Sequence, residues 1–237
     1  KRICWKTNQL LIVKINSKYG IIFLSSGLGI IFISLGCILS MYSFCGPTKE
    51  MYSVLNHFIS ELGVADFSTH AVYFNIGLMI GGTCLLIMFN YLSSLFETKI
   101  KYLLHISGSL CSVFCILVGV FPADQLQKHI AVSLPFFNLA LLSSLLFVVV
   151  SIIDKGKKIP LKIGYCGLLP LFALSAFLLD RITERNKFQM SQMREALLHR
   201  EFFWSLPFLE WLVFFSILIW ISILCFWSFR ELKKNAA

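Results

Sequence analysis

The chain has 237 residues, 57% of them hydrophobic and only 14% charged. Soluble domains carry about 25% charged residues, so this composition excludes a disordered chain and argues against a soluble globular enzyme. The net charge of +9, from 21 Lys and Arg against 12 Asp and Glu, would suggest an acidic partner for a soluble protein. No aromatic-and-basic stripe of a nucleic-acid reader accompanies it, so nucleic acid is not an expected partner.

A bilayer core takes roughly 20 apolar residues of helix. The first stretch of that kind is 21–43, with Gly27, Gly29 and Gly36 as small packing residues. It is too long for a signal peptide and lacks a small-residue cleavage site. The loop 44–70 is longer than a turn and reads as an amphipathic helix. Thr48 would cap it, Met51, Val54, Leu55, Phe58 and Leu62 recur at helical spacing, and Gly63 would stop it. The second span, 71–96, carries the GxxxG pair Gly77 and Gly81, a mark of close helix packing. The third, 102–121, contains Cys111 and Cys115, four apart as in helical stacking and not the spacing of a redox CxxC. The eight cysteines lie mostly in apolar runs and support neither a disulfide framework nor a zinc ribbon.

The fourth span is 130–153 and the fifth 160–179. Residues 180–207 form a second amphipathic stretch, with Met190, Met193, Leu197 and Trp204 on one face, before the last span, 208–229. Continuous runs of this length exclude barrel strands, which alternate over about ten residues. The expected fold is therefore all-α: one domain, 1–237, a polytopic bundle of six transmembrane helices with two amphipathic loop helices on the non-cytoplasmic side. Trp204, Trp211 and Trp227 are expected in the interfacial belt. His105 should reach headgroups, and Asn138 should bond another helix.

Basic residues set the orientation. The side shared by both termini holds 14 Lys and Arg and the opposite side 7, five of them in the third outer loop. Both termini are thus expected in the cytoplasm, most simply of a bacterial or archaeal cell.

Ionisable and amide groups at span ends are costly in lipid and mark function by default. The outer ends offer Ser60 and Glu61, then Asp66, His70 and Asn75. Asp124 and His129 bracket the link between the third and fourth spans. Arg181 and Glu184 follow the fifth, and Glu210 with Trp211 opens the sixth. Of these, His129, Asp124 and Glu210 are the candidates for catalysis, and Ser60, Glu61, Asn75, Arg181 and Glu184 for ligand binding. Each has a plainer reading: Asp124 could hydrogen-bond His129, Glu210 could favour a helix N-terminus, and Asn75 could tie two helices together. Neither HExxH nor HxxxH occurs, so no metal site is defined, although His129, Asp124, Glu61 and Glu210 could supply ligands from four segments. Ser60, His129 and Glu210 could make a hydrolytic triad, without a GxSxG elbow to support it. No P-loop or dinucleotide fingerprint is present, and no cofactor is indicated.

Four stretches then carry a resemblance: His57-Phe58-Ile59-Ser60-Glu61-Leu62-Gly63, Tyr73-Phe74-Asn75-Ile76-Gly77, Gly119-Val120-Phe121-Pro122-Ala123-Asp124 followed by His129, and Glu210-Trp211. The chain resembles the DRAM/Sfk-like superfamily of six-helix membrane proteins, in particular its bacterial and archaeal members of unassigned function. The resemblance implies a lipid-related role, since eukaryotic relatives are linked to lipid-anchor remodelling, phospholipid asymmetry and autophagy. The leading expectation is an integral membrane protein that binds or processes a lipid at the outer leaflet, as a lipid hydrolase or remodelling enzyme if it is catalytic. A scaffold or regulator acting through basic cytoplasmic loops is the alternative. A small-solute transporter ranks below both, because the spans show few mid-membrane charges and no inverted repeat.

Overall fold

A computed structural model describes residues 17–187 and 198–235, with the side chains of all but 184–187. Six helices in it are long and apolar enough to cross a membrane. They are α1 (Lys18–Tyr42), α2 (Ala71–Ser93), α3 (Lys101–Val120), α4 (Leu126–Ile153), α5 (Leu168–Lys187) and α6 (Ser205–Lys234). The chain is an integral multi-pass membrane protein. Because the number of crossings is even, the start of α1 and the end of α6 lie on one side, and the connection between α1 and α2 lies on the other.

Each helix packs on its chain neighbour, and α6 returns to α1, so the six close a ring. Close approach depends on residues without side chains. A Cβ on Gly77 of α2 would stand 2.7 Å from the Phe32 carbonyl of α1, and one on Gly82 would stand 2.9 Å from the Ser112 carbonyl of α3. The GxxxG pair therefore packs against α1 as its spacing predicts. Large side chains such as Ile38, Phe172 and Phe226 point outward, while serines line the interior. Most buried hydroxyls bond a carbonyl in their own helix, and Ser143 also reaches Ser107 across α4 and α3 at 3.1 Å. This distribution suits a solvent as apolar as the core.

The half of the bundle nearest the termini holds the largest aromatic core, with Phe89, Phe96, Phe147, Trp220 and Trp227. On that side Asp154 is buried, and one of its oxygens accepts from the Glu97 and Thr98 amides at 2.6 and 3.1 Å. The carboxylate joins the two short loops that follow α2 and α4.

The fold departs from expectation in several elements. Loop one is not an amphipathic helix: only the 3-10 turn Ile59–Gly63 is helical. Met51, assigned to the apolar face, is 86% exposed. Thr48 caps nothing and instead bonds the Glu50 carboxylate through its amide and hydroxyl. Lys49 takes a positive φ of 65° in the turn that leads there. Short turns satisfy part of the loop's backbone, and the Leu55, Asn56, His57, Leu62 and Gly63 carbonyls accept from partners outside the loop, which outcompete a local helix. The fifth span begins with the short turns Leu161–Gly164 and Tyr165–Gly167, and α5 continues past residue 179 to Lys187. The second loop helix falls largely on 188–197, outside the described residues. Trp211 and Trp227 are buried in the bundle. His105 stands 3.4 Å from the Ser93 hydroxyl, and Asn138 bonds the Leu134 carbonyl of its own helix.

Candidate functional site

Loop one and the residues before α6 build a cap on the face opposite the termini. A one-rung bridge between Phe44 and Ser68 holds the two ends of loop one together. Ser40 donates to the Leu62 carbonyl, and the Ser40 and Ser68 hydroxyls lie 2.9 Å apart. From α2, the Asn75 amide donates to the Gly63 carbonyl at 2.9 Å. From α6, the Trp211 indole donates to the Tyr52 hydroxyl at 3.0 Å and the His57 carbonyl at 3.2 Å. Tyr52 in turn donates to the Phe58 carbonyl at 2.9 Å.

The second half of the cap is Arg200, which lies only 6% exposed against Glu61 at 7%. The guanidinium grips both Glu61 oxygens, at 3.1 and 2.6 Å, and donates to the Asn56 carbonyl at 2.8 Å. Asn56 returns a bond to the Glu201 carbonyl at 2.7 Å, and the Trp204 amide reaches the Leu55 carbonyl at 3.0 Å. Trp204 also sets its ring edge-on to Phe58. Loop one and the segment 200–204 are therefore one hydrogen-bonded unit. A planar two-pronged donor suits this role better than a lysine.

Buried charge shifts the groups of the cap. Burial raises the Glu61 carboxyl, and the Arg200 charge with the Phe58 amide pulls it back. Burial also pushes on Glu50, but the Thr48 bonds and Arg200 outweigh it and leave that carboxyl below its usual value. His57 sits 3.6 Å from Glu50; burial, followed by the Arg200 charge, lowers it despite that carboxylate. Tyr52 is held well above its usual value, first by burial and then by the charges of Glu61 and Glu210.

Beneath the cap lies a cavity of about 100 Å³. Its floor and sides are apolar, with Leu78, Leu85, Val118, Phe137, Val213 and Leu218 among them. Its polar residues are Ser60, Asn75, His129, Ser133 and Glu210. His129 is positioned by its Nδ1, 2.9 Å from the Phe121 carbonyl. A carbonyl only accepts, so Nδ1 carries the proton and the neutral ring keeps its lone pair on Nε2. One Glu210 oxygen accepts from the Ile59 amide at 2.8 Å, at the start of the 3-10 turn. Glu210 and Glu61 thus bracket that turn, Glu210 toward the cavity and Glu61 toward Arg200.

Four of the expected residues, Ser60, Asn75, His129 and Glu210, come from four segments and meet in this one lining. The others do not join them. Glu61 belongs to the cap. Asp124 is exposed, and no hydrogen bond links it to His129 among the described residues. Arg181 is half-buried on α5 outside the lining, close enough for its charge to act on Glu210. Glu184 is helical there, with its side chain outside the described residues. No hydrogen bond joins Ser60, His129 and Glu210 into a triad, and no group of His, Cys, Asp and Glu among the described residues is placed to hold a metal ion. Sequence reading missed Arg200, His57 and Tyr52. Arg200 counted only as an outer-side charge, although its place four residues before an aromatic helix entry was the available signal.

Residues 33–227 fit a family model described as "Protein of unknown function (DUF998)". No curated protein and no solved structure matches the chain significantly.

Proposed function

We propose that this chain, which belongs to the DUF998 family, binds one lipid chain in the cavity beneath its cap. The observation that carries this reading is the division of the cavity into an apolar shaft and a single polar end. An amphiphile would lay its tail between α2, α3, α4 and α6 and its head against Ser60, Asn75, His129 and Glu210. Pockets that bind small amphiphiles share this plan of apolar walls with a few convergent polar groups. The excess of Lys and Arg on the terminus side supports cytoplasmic termini, and with them a cavity in the outer leaflet; a bacterial or archaeal cell membrane goes with this reading. The resemblance of the stretches around His57–Gly63 and Gly119–Asp124 to DRAM/Sfk-like proteins supports the same lipid role.

Processing of the bound lipid is the second reading, favoured by the Nε2 lone pair of His129 in a lining that also holds the Ser60 hydroxyl. Both readings are tested by lipid mass spectrometry on gently purified protein, alone and after incubation with mixed membrane lipids. The expected result is one amphiphile class enriched over bulk lipid, and lost when Val213→Trp fills the cavity. A product released by wild type and not by His129→Ala establishes turnover. Bulk lipid alone, unchanged in both variants, overturns the reading and moves attention to the basic terminus-side loops.

A further inference from the structure

A groove on the terminus side of the bundle, between the entry of the fifth span and the end of α6, carries binding chemistry of its own. We propose that it holds a membrane lipid with a net negative headgroup, the phosphate seated between Lys162 and Arg230 and the chains laid along α6. This site lies in the leaflet opposite the cavity beneath the cap and does not depend on what that cavity binds.

The shape of the groove matches the order of parts in a lipid. Ile219, Ile223, Phe226 and Arg230 line it and recur every three or four positions, so they form one stripe on α6. Ile219 is 49% and Phe226 60% exposed, and on a membrane span such a stripe meets lipid. Pro160, Lys162 and Ile163 make the facing wall, where the fifth span enters as short turns instead of regular helix. Ile219 stands at the middle of α6 (Ser205–Lys234). At 1.5 Å per residue, Arg230 lies ~16 Å beyond it, about the depth of one leaflet of a ~30 Å hydrocarbon core. The groove is therefore apolar through that depth and basic at its end.

The charges of the lining are Lys162, Arg230, Lys234 and Glu231. Lys234 holds Glu231 at 2.7 Å, so those two offset each other. Lys162 and Arg230 have no carboxylate partner among the described residues. The Arg230 guanidinium lies over the Phe226 ring, 5.1 Å from its centre. That stacking holds it against the groove wall and leaves its N–H fork for a phosphate. Basic pockets between spans recognise anionic headgroups by such uncompensated cations. A zwitterionic headgroup adds a positive charge of its own to the cluster and cancels part of the attraction.

The test uses the full chain in detergent and native mass spectrometry, with phosphatidylglycerol and phosphatidylcholine of the same acyl chains as probes. Wild type should bind phosphatidylglycerol at least about tenfold more tightly. Lys162→Gln combined with Arg230→Gln should bring that preference below about threefold. Lys99→Gln combined with Lys155→Gln removes two exposed terminus-side charges outside the groove and should leave the preference unchanged. Val213→Trp, which fills the other cavity, should leave it unchanged as well. Glycerol phosphate, a charged headgroup without chains, should not compete even in large excess. Equal binding of the two lipids by wild type would overturn the proposal. An equal loss in both double variants would do so too, since it marks diffuse surface charge. Loss in Val213→Trp would assign the lipid to the cavity, and displacement by glycerol phosphate would take the chains out of the groove; either result overturns the site.

Discussion

Arg200 is the residue on which the cap depends. Its guanidinium holds Glu61, the Asn56 carbonyl and, 3.8 Å from Nε, an oxygen of Glu50. Such a buried pair adds little net stability over apolar packing, yet breaking it leaves a buried charge alone. Arg200→Ala should therefore cost about 3–5 kcal/mol, measured by reversible unfolding in detergent; a loss below 1 kcal/mol, on the scale of an exposed pair, would remove Arg200 from this role. His57 gives the cap a pH dependence. Its folded value lies below the ordinary 6.5, so its contribution is complete above that pH and is lost as pH falls through the depressed value. Glu61 acts in the opposite sense: its raised carboxyl contributes fully below 4.5 and loses that contribution as pH rises through the folded value. Glu50, lowered from 4.5, matters only at more acid pH. Melting temperatures compared at about pH 7 and pH 5 should fall more for wild type than for His57→Gln. Equal falls would show that His57 carries no part of the acid sensitivity.

At the scale of elements, the contrast between spans and loop one is physical. A span in lipid must satisfy its own backbone, so a long apolar run can hardly be anything but a helix. Loop one has water, side chains and neighbouring carbonyls available. Its period of Met51, Val54, Leu55, Phe58 and Leu62 was misleading because those residues face different partners: Phe58 meets Trp204, Leu62 joins the cluster around Trp211, and Met51 is exposed. Helix contacts allow a sharper expectation. At Gly77 an added methyl would press on rigid backbone of α1, whereas at Gly27 it would meet only the Cys225 sulfur at an ordinary 3.6 Å. Gly77→Ala should destabilise by about 1–3 kcal/mol through overpacking. Gly27→Ala should be neutral, or favourable by up to about 1 kcal/mol from helix propensity. Equal unfolding free energies for the two variants would contradict the packing described for α1 and α2.

For the whole molecule, closure of the ring brings the start of α6 over the start of α2 and beside the entry of α4. Glu210 is 135 residues from Asn75 in sequence, a separation counted from their positions, and shares a cavity with it. The cap and that cavity share the turn Ile59–Gly63, which lends Ile59 and Ser60 to the lining and Glu61 to Arg200, so access to the cavity and cap stability are coupled. The filled-cavity variant Val213→Trp tests this arrangement directly. A cap variant such as Arg200→Ala would test it only through folding.

Sequence by itself determined the solvent, the six crossings, the shared side of the termini and four residues of the cavity. Each follows from a local cost: apolar length against bilayer thickness, or a polar group at a span end that lipid cannot solvate. Tertiary structure alone decided that Glu61 serves Arg200 and not the cavity, that His129 bonds the Phe121 carbonyl and not Asp124, and that loop one is a hydrogen-bonded cap. Those outcomes turn on which distant donor reaches which acceptor once the ring has closed, and residue spacing along the chain carries no measure of that distance.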